Sequence, residues 1–467
     1  MLSDTIAAIA TPLGEGGLAV IRISGPQALS MVDLCFRPSG QTSKLPSLAV
    51  SHSIHYGHVV RDGIVVDEVM VAVLRAPRTF TREDTVEISC HGGLLPAKLV
   101  LDAALACGAR LAEPGEFTRR AFLNGRIDLA QAEAVADLIH SRTELALQAA
   151  NEQLAGKLSA RINLLRDDLM RVLAHVEAHI DFPDEDIAPD TRAELLRKLR
   201  DGVAFMDALL RTANEGQILR RGIRVAILGR PNAGKSSLLN QLLGHDRAIV
   251  SPVAGTTRDT IEETANIRGI PVVFVDTAGL RDSSDEIEAE GIRRSRDTAA
   301  KADLILHVID ASKPLTDADA HWLTEFSGKK RILIRNKVDL PVKLAVDELH
   351  RGHQGSGIRD QASRVVDVSC STAAGLEALK DAIKDAVWSG EIGGGMLQVM
   401  TSSRHQDALQ RTRTATIRAT DALAGGLTLE LVAADLRTAV GAVGEIVGKT
   451  STEDLLDSIF SQFCIGK

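Results

Sequence analysis

The sequence predicts a multidomain protein: an N-terminal α+β domain, a central α-helical bundle, and an α/β phosphate-loop domain inserted into that bundle. Three observations predict this. A chain of 467 residues exceeds what one hydrophobic core usually serves. Apolar periodicity changes character along the chain, from short β-branched runs to steps of three and four, then to runs spaced by helix-sized segments, and back. Within the third region a G-x-x-x-x-G-K-S segment follows an apolar run and precedes a helix-like one.

From Ala19 to about Cys90 the runs AVIRIS, VMVAVL and TVEIS are separated by Gly, Pro and charged turns, the pattern of short strands. A helix is expected over Pro96 to Ala106, then the turn EPGEF. From about Ile127 to His179 there is no proline, and Leu158, Ile162, Leu165, Leu169, Val172 and Val176 recur at steps of four and three, the seam of a long helix packed on other helices. The proline- and carboxylate-rich break DFPDEDIAP ends it, and another helix is expected over Thr191 to Asn214. RVAILG, VVFVDTAG, ADLILHVID, RILIRNKVD and RVVDVS then read as buried strands of a parallel sheet. After the linker SGEIGGG, Leu429, Val432, Leu436, Val440 and Val443 share one helix face. Thr452 is placed to cap a last helix carrying Leu455, Leu456, Ile459 and Phe463. The expected segments are 1–120, 121–220 with 389–467 as two halves of the bundle, and 221–388 as the insert.

Composition narrows the function class. A formal charge of -8 means that any nucleic acid must be met by a local basic patch, and an aromatic share of 3% disfavours base stacking as the main contact. The five cysteines, Cys35, Cys90, Cys107, Cys370 and Cys464, never form CxxC, which argues for a reducing compartment. MLSDTIAAIATP lacks the basic start and apolar stretch of a signal peptide, and no run approaches the ~18 apolar residues of a membrane span. The expectation is a soluble, cytoplasmic, unprocessed protein.

Gly229 to Ser236 is the phosphate loop. Its glycines let backbone amides close on phosphates, Lys235 neutralises the outer ones, and Ser236 ligates magnesium. Asn232, Ala233, Gly234 and Ser237 complete the loop and the first helical turn. Ser251-Pro252-Val253-Ala254-Gly255-Thr256-Thr257 reads as a switch loop whose Thr257 completes the metal shell when a γ-phosphate is present. Asp276-Thr277-Ala278-Gly279 ends a buried strand and brings a carboxylate toward the metal. Asn336-Lys337-Val338-Asp339 selects the base: the Asp339 carboxylate accepts from both the ring N–H and the amino group of guanine, and adenine would leave it unpaired. Ser369-Cys370-Ser371 is positioned to offer a backbone amide to the guanine oxygen. Together these point to GTP rather than ATP, on a Ras-like domain. Leu280 stands where many small GTPases carry the glutamine that orients water, and spacing assigns no arginine finger.

Those residues, with VIRISG, CHGG, PGEFTRRAFLNGRIDLAQAEAVADLI and the terminal FCIGK, resemble the MnmE (TrmE) family of tRNA-modification GTPases over essentially the whole chain. The resemblance implies a folate-binding-like N-terminal domain that dimerises and takes a tetrahydrofolate one-carbon donor (5-formyl- or methylene-tetrahydrofolate) through Arg22, Glu87 and Arg126. It also implies potassium in place of an arginine finger, held by Asn232 and by the loop residues Ser251, Val253 and Thr256. Glu288, in DEIEAEG, falls on the family's water-aligning glutamate, and Cys464 and Lys467 on its functional tail. The implied reaction adds a carboxymethylaminomethyl or aminomethyl group to C5 of the wobble uridine of tRNA. The implied partner is an MnmG-type flavoprotein that carries the FAD, in a heterotetramer. A ribosome-assembly GTPase and a GTP-switched scaffold are the competing readings. Reduced-folate binding by residues 1–120 separates the first reading from both. His52, His55 and His58 could suggest a metal but read as ordinary surface or packing histidines, and the pairs Arg119-Arg120 and Arg220-Arg221 could touch tRNA phosphate but read as solvated faces.

Overall fold

The computed structural model describes residues 4–181, 189–244, 263–275, 296–326, 328–346, 349, 364–388 and 402–467. Its contacts divide into two compact units. The first comprises Met1–Ala136, Gln153–Ala204 and Ala408–Lys467, and the second Asp137–Glu152 and Phe205–Asp407, so in chain order the second lies within the first.

The first unit holds a seven-stranded sheet of β1 (Ile6–Ile9), β2 (Leu18–Ser24), β3 (Phe36–Pro38), β4 (Ser53–Arg61), β5 (Ile64–Leu74), β6 (Thr85–His91) and β7 (Arg110–Leu111), in the order β3-β4-β5-β6-β2-β1-β7. Only the short β1–β7 pair is parallel. Antiparallel order suits these sequences, because alternate residues such as Ile21 and Ile23 point into the core while Arg22 stays on the other face. β4 and β5 are joined by Asp62-Gly63, both at positive φ, the geometry that a two-residue hairpin turn demands. The helices Ala28–Cys35 and Leu94–Ala106 cover the core through Ala28, Val32, Ala97 and Val100.

The same unit contains the paired helices Lys157–Asp181 and Leu429–Val447. All six seam residues of the first are buried, as are Val432, Leu436, Val440 and Val443 on the second. Thr452 caps the helix Glu453–Phe460 by accepting from the Leu455 amide. Two details differ from expectation. The proline-free stretch before His179 is three helices, Leu129–His140, Glu144–Leu154 and Lys157–Asp181, broken first at residues 141–143 and again where Gly156 turns the chain at positive φ. Phe463 lies beyond its helix and is buried against Phe460 and Leu129.

The second unit is built on β8 (Ile223–Leu228), β9 (Glu263–Ile267), β10 (Ile270–Phe274), β11 (Leu304–Asp310), β12 (Arg331–Asn336) and β13 (Arg364–Val368), ordered β13-β12-β11-β8-β10-β9. Five strands run parallel, and β9 adds an antiparallel edge through a hairpin at Arg268-Gly269, again with both residues at positive φ. β10 and β11 are buried almost end to end, which explains why they read as unbroken apolar runs, whereas the polar edge sequence ETANI carries no such signal. Ala146 and Ala149 of Glu144–Leu154 and Leu219 of Ala213–Arg221 join this core.

Candidate nucleotide-binding site

A parallel sheet gathers its strand ends on one side, and the segments named from sequence follow those ends. β8 ends at Leu228, and Gly229 to Gly234 then leads into the helix Lys235–Gly244. Two glycines here are compulsory. A Cβ on Gly229 would lie 2.2 Å from the Val308 carbonyl oxygen, and one on Gly234 would lie 2.1 Å from Asn336 Nδ2. Asn232 sits in the left-handed region at φ 61, where asparagine is among the few tolerated residues. Lys235 Nζ folds over the loop and donates to the Gly229 and Arg230 carbonyls at 2.9 and 3.0 Å. Burial lowers its pKa, so an anion laid against it restores what desolvation costs.

The segment Asn336 to Asp339 grips this loop directly. Asp310 and Asn336 are register partners at the ends of β11 and β12. Asn336, almost fully buried, donates from Nδ2 to the Ala233 carbonyl at 2.9 Å and accepts at Oδ1 from the Cys370 amide at 3.3 Å. One side chain thus ties the phosphate loop to the segment after β13. Lys337, at φ 65, donates to the Asn232 carbonyl at 2.8 Å and pairs with Asp310 Oδ2 at 2.7 Å. Asp310 also accepts from the Ser312 amide and hydroxyl. Burial alone would raise its pKa, but the bonds from Lys337 and Ser312 bring it below the usual carboxylate value.

Asp339 stays exposed. Its Oδ1 accepts from Ser369 Oγ at 2.6 Å, and Ser369 and Ser371 together hold its pKa down, so it is an ionised acceptor at neutral pH. Ser369 Oγ also lies 2.9 Å from Ser371 Oγ. The structure therefore brings together Asn232, Ala233, Gly234, Lys235, Asn336, Lys337, Asp339, Ser369, Cys370 and Ser371. Ser236 and Ser237 open the helix that follows the loop. Ser251 to Thr257, Asp276 to Gly279 and Glu288 lie outside the described residues. Sequence reasoning missed Asp310, whose signal was an acidic residue closing the strand LILHVID beside the tetrad strand. It also missed Arg230, which reaches Thr316 Oγ1 at 3.0 Å within the capping box Thr316–Asp319.

In the first unit Arg22 and Glu87 are cross-strand partners at 2.8 Å on β2 and β6. The Arg22 guanidinium stacks 5.7 Å from the Phe117 ring and Arg126 stacks 5.8 Å from the Phe80 ring; the two rings belong to one small apolar cluster. The tail reaches the same place. Arg22 Nη1 donates to the Gly466 carbonyl at 3.3 Å, the Gly115 amide to the Cys464 carbonyl, and the Phe117 amide to a Lys467 main-chain oxygen. Cys464 itself is exposed. Arg120, expected on a solvated face, is fully buried, bridging Asp4, Glu83 and Glu116, and Arg119 pairs with Asp457. Arg220 is likewise held, by Asp137. His55 is buried while His58 is half-buried on the other face of β4, and among the described residues no His, Cys, Asp and Glu group is arranged to hold a metal.

Residues 129–464 match the family model described as the MnmE helical domain, and residues 5–126 the one described as the GTP-binding protein TrmE N-terminus. A protein of Geobacillus kaustophilus named tRNA modification GTPase MnmE is 47% identical over 472 residues, covering 99% of each chain. The chain belongs to the MnmE family of tRNA modification GTPases. A Geobacter metallireducens member with the same name is also 47% identical, covering 100% of both chains. Among solved structures, Era from Aquifex aeolicus bound to GDP and AlF4- is 28% identical, with 43% of this chain and 66% of that one covered and a TM-score of 0.27. The G domain of the T. maritima FeoB iron transporter is 27% identical, with 35% and 98% covered and a TM-score of 0.26. At such scores they add nothing to the family relation, which rests on the full-length matches. Within the MnmE family, the phosphate loop, the base tetrad and the tail described above are parts of one continuous homologous chain.

Proposed function

We propose that this chain is the GTP-hydrolysing component of a tRNA-modifying complex that installs a carboxymethylaminomethyl or aminomethyl group at C5 of the wobble uridine. The observation that carries this reading is the end-to-end match to proteins named tRNA modification GTPase. The geometry of the tetrad and loop supports its nucleotide half. Asp339, ionised and exposed, accepts from guanine, the Cys370 segment faces the base oxygen, and Lys235 neutralises the outer phosphates. Ser236 and Thr257 would hold magnesium. Asn232 with Ser251, Val253 and Thr256 would hold potassium; a hard cation suits carbonyl donors, and the fixed left-handed turn at Asn232 favours such a cradle. Bound there, the two cations supply positive charge where charge develops between the phosphates. Glu288 aligns the attacking water.

The N-terminal unit takes the reduced folate. Arg22, Glu87 and Arg126 offer a carboxylate and two guanidiniums stacked on neighbouring rings, which suits an aromatic ligand with a glutamate tail. Two copies pair through this unit, in the cytoplasm, and an MnmG-type flavoprotein supplies FAD. No helix among the described residues is long and apolar enough to cross a membrane. Nucleoside analysis of tRNA from cells lacking the protein tests the reading. Loss of the C5 modification from wobble uridine is expected, and an unchanged nucleoside profile refutes it.

A further inference from the structure

Fixing Asn232 is a problem of backbone control. Its left-handed φ of 61 is uncommon for a residue other than glycine, so surrounding bonds must hold it there. The two carbonyls of the Asn232–Ala233 stretch are both held from β12: Ala233 by Asn336 Nδ2 at 2.9 Å, and Asn232 by Lys337 Nζ at 2.8 Å. The two holds differ in kind. The Asn336 amide is locked, because its other end receives the Cys370 amide. The Lys337 ammonium ends a flexible four-carbon stem and could turn to solvent. What keeps it on Asn232 is Asp310, 2.7 Å away on the end of the neighbouring strand. That carboxylate is mostly buried and is itself fixed by the Ser312 amide at 3.0 Å and hydroxyl at 2.6 Å.

We propose that Asp310 is a positioning residue for the phosphate and cation end of the site. It orients Lys337, Lys337 fixes the Asn232 carbonyl, and the Asn232 side chain is thereby presented to the phosphates and the potassium ion. Asp310 touches neither nucleotide nor cation. The proposal rests on the reading of Asn232 as a cation ligand. It also makes the base tetrad and the cation cradle one mechanical unit, since the strand end that reads guanine is the one that holds Asn232 in place.

The test uses the full chain carrying Asp310→Asn, which keeps size and one acceptor oxygen but removes the charge, and Asp310→Ala. Steady-state GTP hydrolysis is measured against KCl at constant ionic strength, GDP release is followed by stopped-flow with a fluorescent GDP analogue, and melting is recorded for each variant. Losing one charge-assisted bond at a partly exposed site predicts a KCl half-activation concentration raised about three- to tenfold and GDP release faster by a similar factor. Asp310→Asn is expected to lie between parent and Asp310→Ala, with its melting close to the parent's. If both variants keep the parental half-activation and GDP release, or if turnover falls while those two readouts stay fixed, the residue is merely structural and the inference is overturned. Should Asp310→Ala fail to fold, Asp310→Asn decides. If the parent shows no potassium stimulation, the potassium reading falls, and parental GDP release in Asp310→Asn would then overturn the positioning role by itself.

Discussion

Asn336→Ala removes the side chain that joins the phosphate loop to the segment following β13, and its consequences can be worked from two bonds. Nδ2 donates to the Ala233 carbonyl at 2.9 Å, and Oδ1 accepts from the Cys370 amide at 3.3 Å, in a residue only 2% exposed. Truncation leaves one backbone acceptor and one backbone donor unpaired. Each costs about 1–3 kcal/mol, and some return of water trims the total to about 2–4 kcal/mol. These bonds form within the protein itself, so their loss is divided between stability and preorganisation: the two segments must be ordered when nucleotide binds. The quantity to measure is therefore a sum. Titration with a fluorescent GDP analogue gives the loss in binding free energy, and urea unfolding of the nucleotide-sensitive transition gives the loss in stability. Together they are expected to reach about 2–4 kcal/mol, with at least about a tenfold weakening of GDP binding. Asn336→Asp keeps the acceptor but sets a carboxylate against the Ala233 carbonyl, and should weaken GDP at least as much. A summed loss below about 0.5 kcal/mol for Asn336→Ala would refute the claim that this residue holds the two segments together.

Gly234→Ala places a Cβ 2.1 Å from Asn336 Nδ2 at a φ of +98, so GDP binding should be lost; retention within a few-fold of the parent would contradict the loop geometry. Arg120→Ala removes a fully buried guanidinium that bridges Asp4, Glu83 and Glu116; Arg110 still pairs with Glu116, so the loss should be about 3 kcal/mol of stability in the first unit, with GDP affinity unchanged. His307 on β11 has its pKa lowered from 6.5 to about 4, chiefly by burial and secondarily by Arg331. The unfolded chain therefore takes up this proton first. The stability contribution is complete above pH 6.5 and is lost as pH falls toward 4, by up to about 3 kcal/mol for this one group. His307→Phe should flatten urea-unfolding free energies across that window, and an unchanged pH slope would show that His307 is not responsible.

Much of this architecture was legible because its signals are local and repeated. The six seam residues from Leu158 to Val176 are all buried, since a helix of about seven turns cannot hide its period. β8, β10, β11 and β12 read as apolar runs because sheet and helices cover both faces. The phosphate loop and tetrad were legible for another reason: their chemistry restricts residue types at fixed spacing. What escaped has weak local signal. β9 is a polar edge strand defined by its hairpin partner. The burial of Arg120 depends on carboxylates at positions 4, 83 and 116, which chain order scatters. Asp310 is one more acidic residue at a strand end until the register sets it opposite Asn336. The tail's position beside Arg22 likewise joins residues hundreds apart, and no periodicity encodes it.

The most direct test of the central claim is a competition measurement on the full chain with magnesium present. A fluorescent GDP analogue is displaced by unlabelled GDP, GTP, ADP and ATP, and hydrolysis of GTP and ATP is followed in parallel. The linkage of Asp339, Ser369 and Asn336 to the phosphate loop predicts displacement by GDP and GTP at concentrations at least a hundredfold below those of ADP and ATP, and release of phosphate from GTP alone. Equal displacement by adenine nucleotides, or comparable hydrolysis of ATP, would contradict it.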